Sequence, residues 1–274
     1  MSACSLVATG YNNGPQLIMF TWINPHLDLT RAQERQVLAD LGQIQTWHRQ
    51  QQLPLYLQWL KDMQALTPQN IQSAQVCKLF DEMRESLKPL AGQLEEPTAR
   101  LALSLQSAQL SHLKQRFEKD NKKWRQEWQL DASSEEQLDV QTDKGQDNAE
   151  RFYGRLDRSQ KNLLRQLAKE SGFDGPKTAS ERLRQQADAY QVLQTIAINQ
   201  PAQREANAMV HDWLERSLHT PDPIYAAYLK KRLDTNCEAA ATFHNTTTRE
   251  QRQHAIKVLQ GYENDVRQLM RTPG

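Results

Sequence analysis

Four short stretches concentrate the side chains that could do chemistry. The densest is TWHRQQQLPLYLQWL. It sets Trp47, His48 and Arg49 just ahead of Pro54, with Tyr56 and Trp59 following. A histidine and an arginine beside aromatic rings could hold an anionic group or a peptide carboxylate. The same two cations could instead cap a helix C-terminus, where the dipole is negative. In NKKWRQEW, Trp124 and Trp128 stand four apart and share a helix face, alternating with Arg125 and Glu127. Arg125 is placed to stack on a ring or to pair with a carboxylate. ERFYGRLDRSQ carries Arg151, Arg155 and Arg158, a modest basic patch that surface solvation explains. FHNTTTREQRQHA puts His244, Asn245 and three threonines ahead of a last helix, where turn and cap roles suit them.

The enzyme reading draws on His48, Arg49, Glu127 and His244. A histidine general base needs a hydrogen-bonding partner that orients it, usually a carboxylate, and spacing alone does not supply one. The motifs that announce an enzyme are missing. There is no HExxH, no GxSxG and no glycine-rich phosphate loop. Repeated Glu-x-x-His pairs, the ligands of a di-iron bundle, are absent as well. No metal and no cofactor is expected. The partner-binding reading draws on Trp47, His48, Arg49, Trp124, Arg125 and Trp128, and the balance leans away from an enzyme.

The elements that must position these residues read as helix nearly throughout. β-branched residues are scarce, and Gln, Arg, Lys, Glu and Ala fill the polar positions at little side-chain entropy cost. The expected fold is all-α, about nine to eleven helices and no sheet. Helix starts are legible. Thr30 precedes Gln33, Asp157 precedes Gln160 and Thr248 precedes Gln251, each in a [Thr/Asp]-Arg-x-Gln frame that makes a capping box. Their recurrence suits either a helical repeat or independent capping. Helices are expected over 30–51, 54–66, 68–90, 97–130, 133–155, 157–171, 179–199, 201–218, 222–241 and 248–270, after a short turn or helix at 15–25. Pro54, Pro89, Pro97, Pro176, Pro201, Pro221 and Pro223 are read as the punctuation between them. Apolar stripes run through Leu110, Leu113, Phe117, Trp124 and Trp128, through Leu183, Ala187, Tyr190 and Leu193, and through Leu259, Tyr262, Val266 and Leu269. These spacings suit one-sided burial.

The expected organisation is a tether over 1–14, a helical subdomain over 15–130, a polar connection or exposed helix over 131–150, and a second helical subdomain over 151–274. One continuous domain is the variant. A net charge of +1 gives no steering toward nucleic acid. The longest apolar run, LIMFTWI at 17–23, is too short to span a membrane. Cys4, Cys77 and Cys237 belong to no CxxC pair. They are either three free thiols, or a modified Cys4 beside a Cys77–Cys237 disulfide formed in an oxidising compartment.

GYNNGPQLIMFTWINPHLDLTRAQ, WHRQQQLP, RFYGRLDRSQ and FHNTTTREQRQHAIKVLQGYENDVRQL together resemble a family of uncharacterised proteobacterial lipoproteins, a domain of unknown function. The resemblance implies export and a largely helical body behind a lipobox cysteine. Ser2, Ala3 and Cys4 match the last three lipobox positions, and Met1 stands where an aliphatic residue belongs. On this reading the sequence begins inside the signal, Cys4 carries the lipid, and Ser5 suits outer-membrane sorting. The family implies no activity.

The leading expectation is therefore a periplasmic lipoprotein, tethered to the outer membrane and non-enzymatic. It would bind an envelope protein or peptide as a chaperone, assembly factor or scaffold, with no nucleic acid and with membrane contact through the lipid alone. An envelope hydrolase acting on peptidoglycan and a cytosolic helical adaptor are the alternatives.

Overall fold

The computed structural model describes Tyr11 and residues 13–271. The fold is all-α, with eleven helices of 13 to 25 residues among the described residues and no strand. A short opening run comprises α1 (Gly14–Ile18), a π-helical turn (Met19–Ile23) and α2 (Asn24–Leu27). Then follow α3 (Arg31–Gln51), α4 (Leu53–Leu66), α5 (Ser73–Glu85), α6 (Leu87–Ser104) and α7 (Ser107–Glu127). The second half holds α8 (Ser134–Tyr153), α9 (Arg158–Glu170), α10 (Gly175–Asn199), α11 (Gln203–Leu218), α12 (Pro223–Asn245) and α13 (Arg249–Arg271).

Two proline assignments need correction. Pro89 and Pro97 lie within α6 rather than between helices. Pro89 is the third residue of α6, where its missing N–H has no intrahelical acceptor to lose. Pro97 is interior and costs α6 a hydrogen bond. The packing that follows offsets this, because Ala99 and Ala102 are fully buried against α10 and α11. The expected long helix over 97–130 is instead broken after Ser104, where Leu105 turns extended and Gln106 opens α7. One apolar stripe also moves. Leu183 is 55% exposed, and the buried face of α10 runs through Ala189, Val192, Leu193 and Ile196. Leu183 is six residues from Ala189, which turns it well off that face. Tyr262, at 40% exposure, likewise borders its stripe rather than filling it.

The capping glutamines do more than cap. Gln33 and Gln109, the third residues of α3 and α7, exchange amide hydrogen bonds of 3.2 and 2.9 Å. Gln160 and Gln251, the third residues of α9 and α13, exchange theirs at 2.8 and 2.9 Å. The surroundings of the two pairs correspond. Gln33 donates to the Ser104 carbonyl and Gln160 to the Thr246 carbonyl. Gln109 donates to the carbonyls of Leu27 and Asp28, and Gln251 to that of Arg155. His112 bonds the Pro25 carbonyl and His254 the Phe152 carbonyl. A shift of 127 residues carries Pro25, Asp28 and Gln33 onto Phe152, Arg155 and Gln160. A shift of 142 carries Ser104, Gln109 and His112 onto Thr246, Gln251 and His254.

The helices pack to match. α4 and α5 of the first half lie on α13 and α12 of the second. Reciprocally, α10 and α11 lie on α7 and α6. The chain is thus a tandem repeat, α1–α7 and α8–α13, in which each repeat lends a helix pair to the other. The polar stretch at 131–150 folds as α8, opened by a Ser133–Glu136 capping box and ended at Gly154. Gly154 has φ +74°, a left-handed backbone that favours glycine.

Candidate functional site

The first chemical cluster is a set of rings around one histidine. His48 Nδ1 lies 2.9 Å from the Tyr11 hydroxyl and Nε2 lies 3.3 Å from the Tyr56 hydroxyl. Tyr56 stacks on Trp59, and the buried Arg49 guanidinium sits 5.5 Å from the Tyr11 ring centre. Burial lowers the His48 pKa and raises those of Tyr11 and Tyr56, so these groups stay neutral near pH 7. Trp47 is half-buried beside them in sequence. No carboxylate bonds His48 among the described residues, so the cluster joins α3 to α4 and lacks the orienting acid of a catalytic base.

The second cluster opens onto a cleft. Trp124 and Trp128 have ring centres 6.3 Å apart, and Arg182 rather than Arg125 lies over Trp124. Arg125 is exposed and pairs with Asp131; Glu127 is exposed and pairs with Lys123 at 3.6 Å. Trp128 turns inward. It stacks on Phe173 at 4.7 Å, and Lys144 Nζ sits 5.0 Å from its ring centre. Arg232 covers the Phe173 ring at 5.1 Å and the Tyr228 ring at 5.8 Å. Cations and rings thus alternate along one wall of a cleft of about 620 Å³ between α8, α9 and α12.

The third cluster lies on the far side of that wall. Phe152, Tyr153 and Ala240 border both the cleft and an apolar cavity of about 240 Å³. His244 and Tyr153 line this cavity. The His244 Nε2 lies 2.8 Å from the Gln69 carbonyl and must donate to it, so Nδ1 accepts from the Tyr153 hydroxyl at 2.8 Å. Burial, with Arg252 nearby, lowers the His244 pKa, and burial pushes the Tyr153 pKa up to about 12. This histidine is a neutral, fixed imidazole. Its partners are a phenol and a carbonyl, and Glu127 is not among them.

The corresponding place in the first repeat is solid. There Ala102 stands where His244 stands, and Ala99, Val192, Ile196, Ala206 and Val210 close on it within one buried cluster. The disulfide joins the two repeats at the hollow crossing. Cys77 of α5 is bonded to Cys237 of α12, with Cα atoms 5.4 Å apart. The matching crossing of α11 on α6 carries the His211–Glu95 pair at 2.8 Å, and Glu95 is 142 residues before Cys237. The profile of DUF6279, a family of unknown function, matches residues 25–222. The chain belongs to the DUF6279 family. No curated protein and no solved structure matches it. The family match takes in Trp128, Lys144, Phe152 and Phe173, and stops short of Arg232, Cys237 and His244.

Cys4 lies outside the described residues. Among the described residues no helix is long and apolar enough to cross a membrane, and no three His, Cys, Asp or Glu side chains gather to hold a metal ion. Sequence patterns pointed to Trp128 and His244 but missed Lys144, Phe173 and Arg232. Their one signal was type, a cation or a ring, and Arg232 shares that type with the adjacent Lys230 and Lys231.

Proposed function

We propose that this DUF6279 protein is a non-enzymatic proteobacterial envelope lipoprotein, held at the outer membrane by lipid on Cys4, that binds a protein or peptide partner. The observation that carries the binding half is the contrast between the repeats. Where the first copy leaves a cleft of about 260 Å³ beside Val37, Asp40 and Arg100, the second opens one of about 620 Å³ walled by aromatic rings, Trp128 among them. Concave, mostly apolar sites with a few fixed polar groups are where ligands bind. His48 and His244 have their ring nitrogens occupied by tyrosine hydroxyls and a carbonyl, with no carboxylate among the described residues to orient either, which favours binding over general-base chemistry.

Two features support the compartment. A Cys77–Cys237 bond suits an oxidising envelope rather than a reducing cytosol. Leu17, Ile18, Phe20 and Trp22 stand exposed within six residues on the opening helical run, 13 to 18 residues after Cys4. An apolar, aromatic patch near a lipidated residue suits a membrane interface.

One experiment tests both halves. The gene is expressed with its upstream sequence and a photo-crosslinking residue at position 128. The expected result is an acylated Cys4 peptide in the outer-membrane fraction and a discrete cross-linked partner that Lys144→Glu removes. An unmodified Cys4 peptide in the cytosol overturns the tether, and absence of a discrete adduct overturns the binding role.

A further inference from the structure

We infer that the aromatic cleft receives the free carboxyl terminus of a peptide, with the apolar side chain of its last residue against the aromatic wall. This rests on the binding role proposed above and assigns its ligand. The first argument is charge. Arg232 and Lys144 border the cleft, and no aspartate or glutamate does. Arg232 meets only rings: among the described residues it has no carboxylate or carbonyl partner, and its Nε is shielded from solvent without an acceptor. The guanidinium is planar by conjugation, and its fork of N–H donors, placed over the Phe173 and Tyr228 rings, can grip a carboxylate at two points.

The second argument is the floor. Leu164, Leu167 and Phe243 supply apolar surface beneath the cations, so the anion must come attached to an apolar body. The third argument separates a peptide from a fatty acid. Asn148 of α8 and Asn236 of α12 border the cleft, are exposed, and bond to nothing within the described protein. Each offers one amide donor group and one carbonyl acceptor, the complement of a peptide main chain. A hydrocarbon tail has no use for either. The repeat supplies the fourth argument. The positions in the first half that match Arg232 and Asn236 are Leu90 and Leu94. The helix therefore does not require polar groups at these places. The volume, about 620 Å³, is within the span of about 300–1,000 Å³ usual for ligand sites.

The test is calorimetric titration of the whole protein with three probes: acetyl-Ala-Ala-Phe as the free acid, the same peptide as its C-terminal amide, and sodium laurate. The free acid is expected to bind about tenfold or more tightly than the amide, the margin of one charge-assisted hydrogen bond. Arg232→Gln is expected to erase that margin, and Arg232→Lys to restore part of it. Asn148→Ala with Asn236→Ala weakens the peptide and leaves laurate unchanged. Thermal melts check that each variant folds, and should one fail, the acid-to-amide ratio on the unaltered protein still decides. Equal affinity for acid and amide overturns the inference. So does laurate binding more tightly than the peptide, or no binding by any probe. A partner cross-linked at position 128 alongside any of these results leaves the binding role standing and removes only the carboxyl-terminus assignment.

Discussion

Where α6 of the first repeat meets α11 of the second, Ala99 and Ala102 present a smooth face to Ala206 and Val210, and all four are 0% exposed. At the matching crossing of α12 on α5, His244 and Ala240 border a cavity together with Val76 and Leu79. Small residues let helices approach closely, and a bulky polar ring held by two hydrogen bonds does not. The glutamine clasps that set the helix starts are retained in both. The difference therefore lies in interior filling and not in topology. It teaches where to look for function: the crossing that gave up close packing is the one that carries the covalent bond and lies beside the wider, aromatic cleft.

The disulfide should be the largest asymmetry between the halves. It closes a loop of 160 residues at the hollow crossing. Losing it by Cys77→Ala with Cys237→Ala is expected to cost about 3–5 kcal/mol, a fall in Tm of roughly 10 °C. Calorimetry of the oxidised protein, the reduced protein and the double variant measures this. If the loss is no larger than that for removing the matching His211–Glu95 pair, the bond is not what holds the hollow crossing together.

Filling comes next. Val210 and Val76 precede His211 and Cys77 and so hold matching places on α11 and α5. Val210 is fully buried, whereas Val76 borders the cavity. Val210→Ala is expected to cost about 2 kcal/mol, and Val76→Ala less than about 1, because the second removes a methyl pair that already faces a void. Urea unfolding of the two variants reads the difference. Equal losses would mean that the cavity is closed in solution.

These contrasts also mark how far the sequence speaks. The fold class follows from composition, and the capping boxes of Thr30, Asp157 and Thr248 are local patterns that tertiary packing does not override. Pro97 misleads because a local rule is outweighed by two buried alanines a turn later. The [Thr/Asp]-Arg-x-Gln recurrence was visible, but its meaning was not. Which glutamine meets which is a long-range fact, and the fourth member, Gln109, follows a glutamine cap and so escapes the pattern. Trp128 stood out as a tryptophan in a cluster. Arg232, inside YLKKRLDTN, looks like its lysine neighbours until the fold lays it over Phe173 and Tyr228.

The clasps should behave alike, which makes them the control for every asymmetry above. Gln109→Ala removes donors from two carbonyls and from Gln33, and Gln251→Ala removes them from Arg155 and Gln160. Stranding such buried partners is expected to cost about 2–3 kcal/mol in either repeat. Gln109 is the more buried member and takes the upper end. Chemical denaturation tests this, and a clasp variant with no loss would show that the correspondence is geometric without being structural.

The smallest effect has opposite signs at the two matching helix crossings. His244 is buried and its pKa lies below 6.5, so its neutral form is the folded one. Its contribution is complete above pH 6.5 and is lost as pH falls through that value, because the unfolded chain takes up a proton that the folded chain refuses. His211 bonds Glu95 and its pKa lies above 6.5. Its contribution is complete below pH 6.5 and is lost as pH rises through the folded value. The His211 side chain is 52% exposed, so solvent screening holds that contribution to about 0.5 kcal/mol. Stability measured from pH 5 to pH 8 for the unaltered protein, His244→Gln and His211→Gln separates the two. The first variant should flatten the acid limb and the second the neutral-to-alkaline limb. A His244→Gln variant that keeps the full acid slope would place the titrating group elsewhere, with His48, also buried and lowered, the next to replace.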